Sequence, residues 1–243
     1  MSPRPEVVKM QIDLSQPNPA FSSLLTTPTE LIAVDANFFL PPDRTNLKAR
    51  TAYSFEQFRD IWIAPLHQLL PNLAIHEAVL AELVDERPHQ FAQALIESGI
   101  PPQLKLLRDS DLNPIEQAMR QTMELQIAPF TNFDPSRNNK DDRGEVKTLA
   151  HMAVKGYTFF VTNDANALRL IERADQLGTS LDALKTLHFY EGIYLLFRNG
   201  AMQLADAKNL YRYLYYMTKR ERDGNPAWGD FCGGMDKLYA SIS

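Results

Sequence analysis

The chain has 243 residues and a single cysteine, Cys232, which excludes an intramolecular disulfide framework and a cysteine-rich zinc site and fits a reducing compartment. Its 10 glycines form no Gly-rich phosphate loop, so nucleoside-triphosphate hydrolysis of the P-loop kind has no support. Positive charge is in deficit, with 25 Lys and Arg against 30 Asp and Glu and a formal net charge of −5. That argues against a protein that coats nucleic acid by bulk electrostatics, so any such site must be local. Long apolar runs are missing too. The longest weakly charged stretch, Ile61 to Ala81, is interrupted by Pro65, His67, Gln68, Pro71, Asn72, His76 and Glu77 and cannot serve as a membrane span. Met1 to Glu6 lead into no signal-peptide core, and a soluble cytoplasmic protein is expected.

What is present reads as an alternating α/β chain. Hydrophobic residues at 44% and charged residues at 23% are ordinary for a globular protein, and the length allows one large domain or one domain with an appendage. The pattern divides into an irregular, proline-bearing arm at 1–29, an α/β domain at 30–200 and a helical extension at 201–243. Leu31 to Val34 forms a compact apolar run ending on Asp35, and Leu73 to Ile75 forms a second after Pro71-Asn72. Between them Ser54 and Gln57 have capping-box spacing ahead of a helix. A helix from His76 to Glu86 is expected to break at Pro88, and helices over Phe91 to Glu97 and Pro114 to Glu124 make a helical excursion. An exposed loop from Phe130 to Asp141 delivers the chain to Asp142-Arg143-Gly144-Glu145, which opens a helix stopped at Gly156. Phe159 to Val161 is the third strand, leading through Thr162-Asn163 to Asp164, and Leu184 to Tyr190 has the content of a fourth.

Alternation of this kind favours a mainly parallel sheet, which places Asp35 and Asp164 at one sheet edge. Glu82 and Glu145 then approach from helices that start there. Convergent carboxylates repel by roughly 4 kcal/mol per pair at about 4 Å and an effective dielectric near 20, so a cation is needed among them. Mg²⁺ or Mn²⁺ takes oxygen ligands of this kind and suits phosphoester chemistry.

Four segments carry a more specific resemblance. Leu31-Ile32-Ala33-Val34-Asp35-Ala36-Asn37, Ala74 to Leu83 ending in Glu82-Leu83, Asp142-Arg143-Gly144-Glu145, and Phe160-Val161-Thr162-Asn163-Asp164 together resemble the PIN-domain nucleases. The resemblance covers about residues 30 to 200. It implies a three-layer α/β/α sandwich with a short, mainly parallel central sheet, and metal-dependent hydrolysis of phosphodiester bonds. The expected activity is that of an endoribonuclease on single-stranded RNA, with DNA as the other substrate, acting through a Mg²⁺- or Mn²⁺-activated water. Asp35, Glu82, Glu145 and Asp164 match the family acids, Asp142 is a further candidate ligand, and Asn37, Thr162 and Asn163 are candidates for orienting the carboxylates or the water. Glu77, five residues before Glu82, competes with it for the second position. Arg137, Lys140 and Arg143 flank the acid-rich motif and are candidates for holding phosphates. A homodimer, and an inhibitory protein partner if the chain is toxin-like, are the further partners implied.

Each of these residues also has a structural reading. Asp142 and Glu145 have capping-box spacing, Asp164 precedes a helix it can cap, Asp35 can head a turn, and a glutamate inside a helix, as expected for Glu82, is usually solvated. His76, His151 and His188 lack ligand spacing to one another, and His151 reads as a helix-surface residue. Tyr211, Tyr213, Tyr215 and Tyr216 read as packing. Two rival functions remain: a catalytically silent PIN-like scaffold acting through protein or RNA binding, and a haloacid-dehalogenase-type phosphatase, whose second Asp is missing from Asp35-Ala36-Asn37.

Overall fold

The structure, a computed structural model, describes residues 12–26, 29–44 and 52–240. The elements in chain order begin with α1 (Pro19–Thr26), β1 (Ile32–Val34), α2 (Phe55–Phe58), a π-helical turn (Arg59–Ile63) and α3 (Ala64–Leu69). There follow β2 (Leu73–His76), α4 (Glu77–Leu80), α5 (Glu86–Glu97), β3 (Lys105–Leu107), α6 (Pro114–Ile127) and α7 (Arg143–Lys155). The last part comprises β4 (Phe159–Val161), α8 (Ala165–Glu172), α9 (Ala174–Leu177), β5 (Lys185–Leu187), α10 (Phe189–Arg198), α11 (Leu204–Tyr215), α12 (Lys219–Gly224) and α13 (Trp228–Tyr239). The strands form one five-stranded sheet in the order β3-β2-β1-β4-β5, and every pairing is parallel.

Side chains alternate across a strand, and here the alternation sorts the core into two layers. Ile32, Val34, Leu73, Ile75, Phe159 and Val161 belong to one buried cluster, shared with α1, the Phe55–Leu69 helical stretch, α10, α11 and α13. Ala33, Ala74 and Phe160 belong to the other, shared with α6, α7 and α8. The fold is therefore a three-layer α/β/α sandwich with a helical C-terminal extension. The register opposes Ala33 to both Ala74 and Phe160, so small residues lie under α7, and Val146, Leu149 and Ala150 are all buried against them. The expected Ser54–Gln57 capping box forms, and Gly156 ends α7 at a φ of 66°. No helix among the described residues is long and apolar enough to cross a membrane.

Several expectations are corrected. The sheet has a fifth strand, β3, in the stretch between the two helices of the excursion where the sequence pattern predicts no strand, because three residues at a sheet edge are too short to show a period. Pro88 does not break a helix; it sits in the first turn of α5, after the Asp85 cap, where a missing N–H removes no helical hydrogen bond. The helix at His76 ends at Leu80, so Glu82 lies in the following turn rather than inside a helix. The N-terminal arm, of which residues 1–11 and 27–28 lie outside the described part, is not irregular throughout: α1 buries Phe21 and Leu24. At the other end α13 buries Phe231, Met235 and Tyr239. Both ends contribute to the cluster that covers one face of the sheet, so the core runs through the boundaries drawn at 29 and 200.

Candidate active site

The strand order reverses between β1 and β4, because β2 and β3 extend the sheet on one side and β4 and β5 on the other. In open α/β sheets the crevice beyond the C-terminal ends of two such strands is where ligands bind, since the helices leave it uncovered. Asp35 follows β1, and Thr162-Asn163-Asp164 follows β4. The two ends are joined directly, with the Asp35 N–H donating to the Val161 carbonyl at 3.2 Å.

Asp35 is 7% exposed and Thr162 fully buried. The Asp35 Oδ1 accepts from the Ala36 N–H at 2.7 Å, and Oδ2 accepts from the Thr162 hydroxyl at 3.0 Å. The Thr162 oxygen in turn accepts from Asn37 Nδ2 at 3.3 Å and from the Asp164 N–H at 3.0 Å. The Asn163 N–H donates to Asn37 Oδ1 at 3.4 Å. Thr162 thus ties the two acid-bearing strand ends together. Asp164 Oδ1 caps α8 through the N–H groups of Asn166 at 2.7 Å and Ala167 at 3.2 Å. The structural reading of Asp164 is accordingly met, and the cap fixes its carboxylate at the crevice.

Across the crevice, Glu145 in the first turn of α7 is 6% exposed and accepts from Asn166 Nδ2 at 3.3 Å. Glu82 reaches the same helix end, accepting from the Gly144 N–H with Oε1 at 2.6 Å. A Cβ at Gly144 would lie 2.5 Å from Glu82 Oε2 and 2.9 Å from Oε1, so the glycine is needed for this close approach. Asp142 does not cap α7. Its backbone is left-handed, with φ 53°, which turns its carboxylate away from the helix, and Oδ2 accepts from Asn132 through N–H at 2.8 Å and Nδ2 at 3.1 Å. Glu82 supplies the capping contact instead. Glu77 is exposed and turned elsewhere, accepting from the Asp109 N–H at 2.9 Å.

The electrostatics join these acids. Burial pushes the Asp35 carboxyl up to about 7, with the Ala36 N–H opposing and the charge of Asp164 adding to the rise; the Thr162 hydroxyl opposes, and the charge of Glu82 adds again. Burial also drives Glu145 well above the usual range, helped by the charges of Asp164, Asp35, Asp142 and Glu82. Glu82 is raised by burial and by Asp142, against the Gly144 N–H and the Arg143 charge. The carboxylates do not crowd, however. Among the described residues, no three of them bring oxygens within 4.8 Å of one another. Of the three flanking cations only Arg143, half-buried, acts on these acids; Lys140 is exposed, and Arg137 is exposed and pairs with Asp134 at 3.3 Å.

A second titratable cluster escaped the sequence reading. His76 ends β2, and His151 is buried on α7 rather than on a helix surface. Their Nε2 and Nδ1 atoms lie 3.2 and 3.3 Å from the same oxygen, Oδ1 of Asp109, while Arg120 is 3.4 Å from Oδ2. Burial raises the Asp109 pKa, but hydrogen bonds from His151 and His76, with the electrostatic pull of His76 and Arg120, more than reverse this and hold it far below the carboxylate range. One ligand atom from each of the three residues falls within 4.8 Å of the others, a spacing compatible with a metal. The tautomer argues otherwise: His76 Nδ1 accepts from the Ala78 N–H at 3.2 Å, so the ring proton sits on Nε2, the atom a metal would need. With Arg120 already compensating the carboxylate, the cluster is a hydrogen-bonded strut between β2, α7 and the β3–α6 connection. Residues 76, 109 and 151 are far apart in sequence and no local spacing joins them.

No family model matches this chain, and neither the curated proteins nor the solved structures searched include a match.

Proposed function

We propose that the chain is a divalent-metal-dependent nuclease of the PIN-like kind, an endoribonuclease acting on single-stranded RNA. The observation that carries this reading is the convergence of buried, mutually destabilising carboxylates on the crevice between β1 and β4. Structural carboxylates are normally paired with a cation or kept in water; Asp35 and Glu145 are nearly buried, with no cationic partner in contact among the described residues. All candidate donors are carboxylate oxygens, the chemistry of a hard cation such as Mg²⁺ or Mn²⁺. No three of these carboxylates bring oxygens within 4.8 Å of one another as they stand, so Asp35, Glu82, Glu145 and Asp164 would hold the ion only by drawing inward around it, with Asp142 near enough to add its field. When bound, such an ion supplies Lewis-acid polarisation of a phosphoryl oxygen and a lowered pKa for an attacking water.

The chain's own contribution is orientation. Thr162 directs the Asp35 carboxylate, Asn37 braces Thr162 and is held in turn by the Asn163 N–H, Asn166 holds Glu145, and the Gly144 N–H holds Glu82. Arg143 offers the local positive charge that a net acidic protein needs beside a polyanion. The test is cleavage of labelled single-stranded RNA and DNA with Mn²⁺, Mg²⁺ or chelator, comparing wild type with Asp164→Asn. Asn retains an oxygen for the α8 cap, so the fold should survive while activity falls by more than about 100-fold. Equal cleavage by the variant, or none by wild type on either nucleic acid, refutes the proposal.

A further inference from the structure

Tyr215 is the last residue of α11, 2% exposed, and belongs to the C-terminal segment outside the four motif segments. Its hydroxyl donates to Asn163 Oδ1 at 3.0 Å, across 52 residues of sequence. Asn163 stands between Thr162 and Asp164, and its backbone N–H continues the connection to Asn37, from there to Thr162 and so to Asp35. A series of hydrogen bonds, passing through the Asn163 residue from side chain to backbone, therefore runs from the C-terminal helices to the buried Asp35 carboxylate of the crevice.

The far end of that series is anchored. The last carbonyls of a helix lack intrahelical partners. Here the Leu214 carbonyl accepts from Arg44 Nη1 at 2.7 Å, and the Tyr215 carbonyl accepts from Asn225 Nδ2 at 2.8 Å. Asn225 Oδ1 accepts in turn from the Ile12 N–H at 3.0 Å. A guanidinium at this end also meets the negative pole of the helix dipole. The Tyr215 ring packs edge-on to Tyr190, with centroids 6.0 Å apart, and against Tyr211 at 5.9 Å. Backbone and ring are both held, so the hydroxyl has a defined position.

We propose that Tyr215 is a positioning residue for the crevice: it fixes Asn163, and through Asn37 and Thr162 the orientation of Asp35, so that the C-terminal segment completes the site. This rests on the nuclease reading. A buried ring needs no hydroxyl for packing, and an unsatisfied buried hydroxyl is costly, so tyrosine rather than phenylalanine at this point is explained by the bond to Asn163.

The experiment uses the full chain as wild type, Tyr215→Phe, Asn163→Ala, the double variant and Asp164→Asn, with Mn²⁺ and labelled single-stranded RNA, well below the unfolding temperature of each. Tyr215→Phe keeps the ring. It should lower kcat about fivefold, or about 1 kcal/mol at 1.36 kcal/mol per tenfold, with KM unchanged within about twofold. In the Asn163→Ala background the same substitution should cost nothing further, because the hydroxyl acts through that amide. Wild-type kcat in Tyr215→Phe, or the same fivefold loss without Asn163, overturns the proposal while leaving the nuclease reading intact. If wild type does not cleave, or Asp164→Asn cleaves as well as wild type, the nuclease reading falls and the positioning role falls with it.

Discussion

Gly144 offers the sharpest quantitative test of the crevice. An added methyl would stand 2.5 Å from Glu82 Oε2, 2.7 Å from Cδ and 2.9 Å from Oε1, well inside van der Waals contact. The carboxylate is the mobile partner and must retreat, which breaks its 2.6 Å bond from the Gly144 N–H. A hydrogen bond to a charged group contributes roughly 1.5–3 kcal/mol. Alanine in a helix is better than glycine by up to about 1 kcal/mol, so Gly144→Ala should destabilise the protein by about 1 kcal/mol net. In a Glu82→Ala background the obstacle and the lost bond are both absent, and the same substitution should then stabilise by up to about 1 kcal/mol. The reversal of sign is the signature. Urea unfolding of the four proteins in chelator measures it, and Mn²⁺ titration of the same set should show the single Gly144→Ala variant losing affinity in step with Glu82→Ala. Equal effects of Gly144→Ala in the two backgrounds, within about 0.5 kcal/mol, would refute the close approach and with it the placement of Glu82 at the crevice.

Three further outcomes are expected. Glu191 is 1% exposed, and burial pushes its carboxyl to about 8 against the His188 N–H and hydrogen bonds from Asn18 and Tyr239. The folded protein therefore holds a proton that the unfolded chain releases between about 4.5 and 8, so this group's contribution to stability falls as pH rises through that window, by at most roughly 5 kcal/mol. Glu191→Gln, whose single oxygen can take the place of the Oε2 that accepts from both the His188 N–H and Asn18, should flatten the pH dependence of urea midpoints over that range; an unchanged slope refutes the assignment. Asp109→Asn should destabilise by about 2 kcal/mol at neutral pH, as a charge-assisted set of bonds is weakened. Because the Asp109 pKa is depressed, its stabilisation is present above its ordinary value of 3.8 and is lost as pH falls through the folded value, so wild type and variant should converge in acid unfolding curves. Finally, Gly192→Ala would place a methyl 2.7 Å from Cη2 of the fully buried Trp62 and should cost about 1–3 kcal/mol, read by urea unfolding together with a changed tryptophan near-ultraviolet signal.

Much of the fold was legible because its central strands are local apolar runs. Ile32 to Val34 and Phe159 to Val161 are strands as the pattern implies, and the acids that follow them needed no tertiary information to be noticed. Less was visible where an element is short or its burial depends on distant partners. Lys105 to Leu107 has one buried residue and a solvated lysine, so nothing local distinguishes a sheet edge from a loop. The apolar residues of α1 and α13 are buried by elements distant in sequence, as in the edge-on contacts of Phe21 with Tyr194 of α10 at 6.3 Å and with Tyr239 of α13 at 4.8 Å, and the stacking of Phe231 on Tyr211 of α11 at 4.6 Å. The Asp142–Glu145 spacing was misleading as a cap, because the spacing does not reveal a left-handed backbone at Asp142 or a carboxylate arriving from Glu82.

By itself the sequence determined the alternating architecture, the mainly parallel sheet and the candidate acids, because periodicity and strand ends are properties of short segments. Only the tertiary structure decided which residues share a crevice. It put Glu82 rather than Glu77 beside Gly144, moved the cap of α7 from Asp142 to Glu82, gathered His76, Asp109 and His151, and brought Tyr215 to Asn163. Those outcomes depend on strand order and helix packing over separations of 33 to 127 residues, where each contact is set by how the layers close.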